Sequence, residues 1–525
     1  MLNYLSSKAG TALALVTVLL GSALAYAAEN SIALTVDTAK PGATIDRHIF
    51  GQFAEHLGSG IYEGIWVGHD SPIPNTRGIR NDVVAALKAI QVPVVRWPGG
   101  CFADEYHWRN GIGPADKRRA GVNGNWGNVK EPNTFGTHEF MDLVEQIGAE
   151  AYISANVGSG TPQESAEWLE YLTAEDSALA QERAANGHPA PYKVAFWGIG
   201  NESWGCGGAM SAEHYLSQLK IFSRFSRNYN GAQKMQQIAV GPDGGDTAYT
   251  ETIMKAWKNK VWSWDIGGLS LHSYTLNGWP PVVKATGFGE AEYAKFIHET
   301  LGMEGLIGKH AAIMDQYDPE KKVALVVDEW GAWLAPTPGT NPGFLMQQNS
   351  QRDAILAALN LNIFARHADR VRMTNIAQMI NVLQAMILTD KEKMLLTPTY
   401  HVYKMYVPFH DATLIPVRFD AGTYRFQELS MPRVDAIAAR DKNGQLWLAL
   451  TNLDQNQAAK VNVALLPGGT ASAVGQTLSS ARIDAVNTFA TPNAVAPVAV
   501  NIRAVGKSLS IPLPPGSVTV VNLRP

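Results

Sequence analysis

The sequence predicts a (β/α)8 barrel of the TIM type followed by a C-terminal antiparallel β-sandwich of jelly-roll character. Three observations carry this expectation. Eight short apolar segments, at 49–54, 93–97, 151–156, 194–199, 237–240, 268–272, 323–327 and 373–378, are separated by stretches long enough for helices. Strand–helix alternation argues a parallel sheet with helices outside, and eight repeats argue closure. From Pro408 onward the helical patterns give way to short alternating runs such as Leu446-Trp447-Leu448-Ala449-Leu450, with Asn443-Gly444 between two of them as a hairpin turn. Finally, two of the eight segments run directly into a glutamate, Glu202 and Glu329.

Taken in order, residues 1–28 read as a secretory signal. Lys8 supplies the positive start, 11–25 is an apolar stretch of 15 residues, and Ala25-Tyr26-Ala27 is a small-x-small cleavage pattern. The stretch is short for a membrane span, and no second apolar run is long enough to cross a bilayer. The expectation is an exported protein, periplasmic or extracellular, cleaved near Ala27 or Ala28 and free of the membrane afterwards. Residues 29–45 hold an alternating strand with Ile32, Leu34 and Val36 on one face, placed to join the C-terminal sandwich. The barrel is expected over 46–405, with amphipathic helices at 81–90, 136–147, 211–225 and 351–365, and the sandwich over 406–525.

Composition excludes some functions. The net charge of −4 and pI near 6.4 leave no basic footprint for nucleic acid. Fourteen Trp and 17 Tyr suit loops that pack ring faces on sugars, although several must be core. The only cysteines, Cys101 and Cys206, lie in Gly-rich loops after the second and fourth segments. Loops two strands apart in a barrel approach each other, and export favours oxidation, so a Cys101–Cys206 bridge is predicted; two buried thiols are the alternative. His48, His56 and His69 lack metal-ligand spacing, so no metal and no cofactor are expected. Gly205-Cys206-Gly207-Gly208 lacks the Lys-Ser/Thr of a P-loop, and no G-x-S-x-G elbow is present.

Catalytic groups in a barrel project from the C-terminal ends of different strands, and a pair of glutamates facing one pocket is the equipment of a glycosidase. Around Glu202 and Glu329 the motifs fall in one order. They are Gly51-Gln52-Phe53-Ala54-Glu55-His56, Arg96-Trp97-Pro98-Gly99-Gly100-Cys101-Phe102, Asn133-Thr134-Phe135-Gly136, Gly200-Asn201-Glu202-Ser203-Trp204-Gly205-Cys206, Leu271-His272-Ser273-Tyr274, Asp328-Glu329-Trp330 and Asn375-Ile376-Ala377-Gln378. In this order and density the chain resembles a glycoside hydrolase family 51 α-L-arabinofuranosidase, from about Ile45 to its end, densely in the barrel and more vaguely in the sandwich.

The resemblance implies a retaining double displacement. Glu202 resembles the general acid/base and Glu329 the nucleophile, with the two carboxyls roughly 5 Å apart. Once Glu329 is esterified its charge is gone, which favours the ionised form of Glu202 needed in the second step. Asn201 resembles a ligand of the sugar 2-hydroxyl; as a lone residue it would read as a left-handed turn position. Glu55 resembles another hydroxyl ligand, or an ion-pair partner of Arg96. Tyr274 resembles a hydrogen-bond partner of the nucleophile, and Gln378 a further hydroxyl ligand. Cys101 stands where one common form of the family has a sugar-binding Asn, which puts binding by this side chain in doubt because S–H is a weak donor. Trp126, on the loop after the second segment, either stacks on substrate or plugs the loop. The implied substrate is an arabinose-containing polysaccharide or oligosaccharide, such as arabinoxylan or arabinan. An endo-acting glucanase or xylanase on the same barrel, and a non-catalytic sugar-binding protein, are the competing functions. Self-association into a homo-oligomer is left open.

Overall fold

The computed structural model describes residues 31–276, 280–469, 472–505 and 509–524. Eight parallel strands close into a barrel: β1 Gly51–Phe53, β2 Val94–Trp97, β3 Glu150–Ala155, β4 Phe196–Ile199, β5 Gln236–Ala239, β6 Gly268–Thr275, β7 Ala324–Ala332 and β8 Val371–Ile376. Each neighbours the next in sequence, and β8 pairs with β1. All eight apolar segments are therefore barrel strands. The four expected helices form as Asn81–Ala89, Thr137–Ile147, Ala212–Phe225 and Gln351–Arg366. Their starts follow from local chemistry: the Ser211 hydroxyl accepts from His214 N–H, and Asp353 reaches back to the Ser350 N–H.

The barrel interior explains how the site is aimed. Val94, Tyr152, Phe196, Ile238, Ala324, Val326 and Met373 form one buried cluster drawn from six strands, filling the lower barrel. Side chains alternate along a strand, so the next inward residue on each strand lies one layer higher. Two positions after Val94 comes Arg96, and two after Val326 comes Asp328, both nearly fully buried. The outward partner Trp97 instead stacks on Phe140 and meets Trp168 edge-on. Polar groups thus cap an apolar plug at the C-terminal mouth.

The sandwich packs a six-stranded sheet against a four-stranded one. Its core includes Ile32, Leu34, Val36, Leu448, Leu450, Val461, Ile511 and Val521. Strand Ser31–Asp37 inserts between Val417–Phe419 and Ala459–Leu466, antiparallel to the first and parallel to the second. The sandwich is therefore not wholly antiparallel. A strand delivered from the far end of the chain is not bound by hairpin geometry, so it can add in either sense. Val434–Arg440 and Leu446–Asn452 pair through the Asn443-Gly444 turn, where Gly444 takes φ 79°. No helix among the described residues is long and apolar enough to cross a membrane.

Candidate active site

The site forms where the inward residues of β2, β6 and β7 meet the loops after β1, β2, β4 and β8. Register irregularities between β7 and β8, spanning Val327 to Trp330, accompany a change of aim. Such bulges reorient side chains beside active sites. Here the successive residues Asp328 and Glu329 both turn to the pocket. Arg96 donates to Glu329 Oε1 at 2.7 Å and its Nε lies 3.6 Å from Asp328 Oδ2. Tyr274 O–H donates to Glu329 Oε2 at 2.8 Å, so both oxygens of this carboxylate are held. Gly100 is required beside it, since a Cβ there would stand 2.8 Å from Glu329 Oε1.

Glu202 faces Glu329 from the loop after β4. An oxygen of each, with a ring nitrogen of His272, lie within 4.8 Å of one another. His272 Nδ1 is 2.8 Å from Glu202 Oε1, and Nε2 is 3.2 Å from Asp328 Oδ1. Burial alone would lower the imidazole, but the carboxylates of Glu329, Asp328 and Glu202 outweigh it and raise it to about 10. Arg96 is likewise opposed by burial and raised by Glu329 and Asp328. Asp328 is lowered, because Arg96, His272 and the Tyr152 hydroxyl at 2.7 Å overcome its burial. Glu202, His272 and Glu329 have the donor-atom density of a metal site, but Arg96 and the protonated His272 already supply the positive charge.

On the opposite wall Glu55 is buried. Its Oε1 accepts from the N–H groups of Gly100 and Phe102, both at 3.1 Å, and from Trp126 Nε1 at 2.9 Å; Oε2 accepts from Gln378 Nε2 at 3.0 Å. Burial and the nearby Glu329 charge raise this carboxyl to about 7, against those donors. Gln378 Oε1 is buried and has no hydrogen-bond partner among the described residues. The Ala377–Gln378 peptide is cis.

Every candidate residue reaches this pocket or its rim, with one change of ion-pair partner. Arg96 pairs with Glu329 and Asp328 instead of Glu55, since alternation places it beneath the nucleophile wall. The left-handed position is Glu202, with φ 34°, and not Asn201, whose Oδ1 accepts from Arg96 Nη2 at 2.7 Å. The Trp126 indole is half-buried and bonded to Glu55, while its ring packs in the cluster of Phe53, Leu57 and Leu345. Cys101 and Cys206 form a disulfide with Cα atoms 5.4 Å apart. The bonded sulfur of Cys206 lies 3.5 Å from Glu202 Oε2 and has no proton to give. Sequence reading assigned no role to His272, Asp328, Tyr152 or Asp104. A charged side chain two residues beyond an inward apolar one, on a strand of a closed barrel, is the signal that would have placed Arg96 and Asp328 in the site; His272 follows Ser270 across a register shift and carries no such signal.

Comparison with known proteins agrees on one family. Residues 86–240 match the α-L-arabinofuranosidase 1 domain and residues 328–517 the α-L-arabinofuranosidase C-terminal domain. An intracellular exo-α-L-arabinofuranosidase of Bacteroides ovatus is 42% identical over 97% of this chain and 98% of its own. The crystal structure of the GH51 arabinofuranosidase from Xanthomonas axonopodis pv. citri superimposes with a TM-score of 0.92 at 52% identity, covering 94% of this chain and 100% of that one. An α-L-arabinofuranosidase of Thermotoga maritima, crystallised as an arabinose complex, gives 0.82 at 31% identity, covering 94% and 99%. The Bacteroides relative corrects the expected export and secretory signal, because that protein is intracellular. The expected signal rests on an Ala-, Leu- and Val-rich composition, and residues 1–28 lie outside the described residues.

Proposed function

The chain belongs to the glycoside hydrolase family 51 α-L-arabinofuranosidases, and from that premise we propose that it is an exo-acting enzyme releasing terminal arabinofuranosyl groups from arabinose-containing glycans by a retaining double displacement. The observation that carries the mechanism is the approach of Glu202 and Glu329, with oxygens within 4.8 Å. Retaining enzymes hold their carboxyls about 5–5.5 Å apart, whereas inverting ones leave about 6.5–9.5 Å for a water.

In the first step Glu329 attacks the anomeric carbon while Glu202 gives its proton to the departing glycosidic oxygen. The C–O bond to the aglycone breaks and an ester to Glu329 forms. In the second, Glu202 takes a proton from water, the water oxygen bonds to the anomeric carbon, and Glu329 leaves as carboxylate. Arg96 and Tyr274 fix the plane of the Glu329 carboxylate. His272 occupies Glu202 Oε1, which leaves Oε2 to exchange the proton. The unpartnered Gln378 Oε1 and the singly bonded Glu55 Oε2 are acceptors for sugar hydroxyls, and Asn201 offers its side-chain amide to the 2-hydroxyl. With its indole N–H spent on Glu55, Trp126 presents ring surface; Cys101, within its disulfide, presents sulfur without a proton.

The test is hydrolysis of an aryl α-L-arabinofuranoside beside the β-xyloside and β-glucoside, with the first-formed product followed by NMR. Turnover of the arabinofuranoside with retained configuration is expected. Preference for either pyranoside, or an inverted first product, would overturn the assignment.

A further inference from the structure

Glu202 sits in the left-handed backbone region, which a non-glycine residue keeps only where its surroundings hold it. One buried side chain grips the turn just before it. Asp104, 3% exposed, lies in the short 3-10 helix Cys101–Glu105 after β2. Its Oδ1 accepts from the N–H groups of Val157 and Gly158, both at 2.8 Å, on the loop after β3. Its Oδ2 accepts from the Asn201 N–H at 3.0 Å, on the loop after β4. The Ser159 hydroxyl donates to the Asp104 carbonyl at 2.8 Å, anchoring the helix in return. Gly207 closes on the same carboxylate: a Cβ there would stand 2.8 Å from Asp104 Oδ2 and 1.8 Å from the Asn201 carbonyl.

We propose that Asp104 is a positioning residue for the acid/base, fixing the Asn201–Glu202 turn through the Asn201 N–H and tying it to the loops of β2 and β3. The inference rests on Glu202 as the acid/base. Asp104 acts through backbone one residue ahead of Glu202, whereas the Cys101–Cys206 bridge acts four residues beyond it, so the two constraints hold opposite ends of one loop. A carboxylate suits this place because all three groups it meets are donors, and they oppose the burial that raises the group to about 7.

Asp104→Asn separates positioning from bulk. The amide oxygen can keep Val157 and Gly158, but its NH2 then faces the Asn201 N–H, donor against donor. A displacement of about 1 Å in a catalytic group can cost on the order of 100-fold. The experiment measures kcat/KM for a series of aryl α-L-arabinofuranosides of rising leaving-group pKa, in wild type, Asp104→Asn, Gly207→Ala and Glu202→Ala, with thermal unfolding of each. Gly207→Ala keeps the carboxylate and displaces the same turn from its other side. Expected in both turn variants is a loss of about tenfold or more with the poorest leaving group, shrinking towards wild type with the best, because only the poor ones need a placed acid. If Asp104→Asn does not fold, Gly207→Ala decides by the same criterion. A loss uniform across the series, or no loss, while Glu202→Ala shows the slope, would overturn the proposal. No slope in Glu202→Ala would instead overturn the role given to Glu202.

Discussion

Replacing Tyr274 by phenylalanine removes a single oxygen from the surroundings of Glu329. The phenol donates to Oε2 at 2.8 Å while Arg96 holds Oε1 at 2.7 Å. Burial and the Glu329 charge raise the phenol well above its ordinary range, so it stays a donor across the working pH range. The ring meets Trp333 edge-on at 5.1 Å, a contact phenylalanine keeps. A hydrogen bond to a charged group contributes about 1.5–3 kcal/mol, and 1.36 kcal/mol is tenfold in rate, so the bond amounts to about 10–150-fold. The loss should fall on one step. When Glu329 attacks, the carboxylate is already bonded to Tyr274 and its charge is fading. When the ester breaks, the carboxylate re-forms in the transition state and gains the bond. With a good leaving group, kcat should fall by about 10- to 100-fold and KM should fall with it, leaving kcat/KM within about threefold. Stopped-flow measurement should show a burst of aglycone close to one per active site. Equal falls in kcat and kcat/KM with no burst would refute this division of labour.

Glu329→Ala should lose essentially all turnover while keeping its unfolding temperature, and added azide should give a product of inverted configuration; near-wild-type turnover would remove Glu329 from the nucleophile's role. Glu202→Ala should lose the basic limb of the pH–rate profile, measured with an activated aryl substrate, and a retained limb would exclude it as the acid. Thiol titration of unreduced, denatured protein should find no free thiols, against two per chain without the bridge, and reduction should lower activity more than melting temperature. His272, raised to about 10, stabilises the fold fully below its unfolded value of about 6.5, and that contribution is lost as pH rises towards 10; the melting-temperature gap between wild type and His272→Gln should narrow across that window, and a constant gap would refute the pairing.

The strands and the two glutamates were legible in the sequence because their signals are local. A barrel strand buried on both faces shows as an apolar run of a few residues wherever it sits, and a carboxylate at its end needs no distant partner to be noticed. The family motifs, read in order, extended this to Glu55, Asn201, Tyr274 and Gln378. Closure of the barrel decided the rest. Arg96 reaches Glu329 across 233 positions of chain, and Tyr152 reaches Asp328 across 176. Only the alternation of inward layers around a closed sheet, broken by irregularities along β7, brings those pairs together. The left-handed turn falls on Glu202 and not on Asn201 because Asp104 and Arg96 hold Asn201 from either side. The disulfide was open in the sequence for the same reason: two Gly-rich loops can pair only if their Cα atoms approach, and the 5.4 Å separation exists only once the two loops meet in the folded barrel. Side-chain identity, written locally, determined what chemistry was available; the long-range register of eight strands determined which groups perform it together.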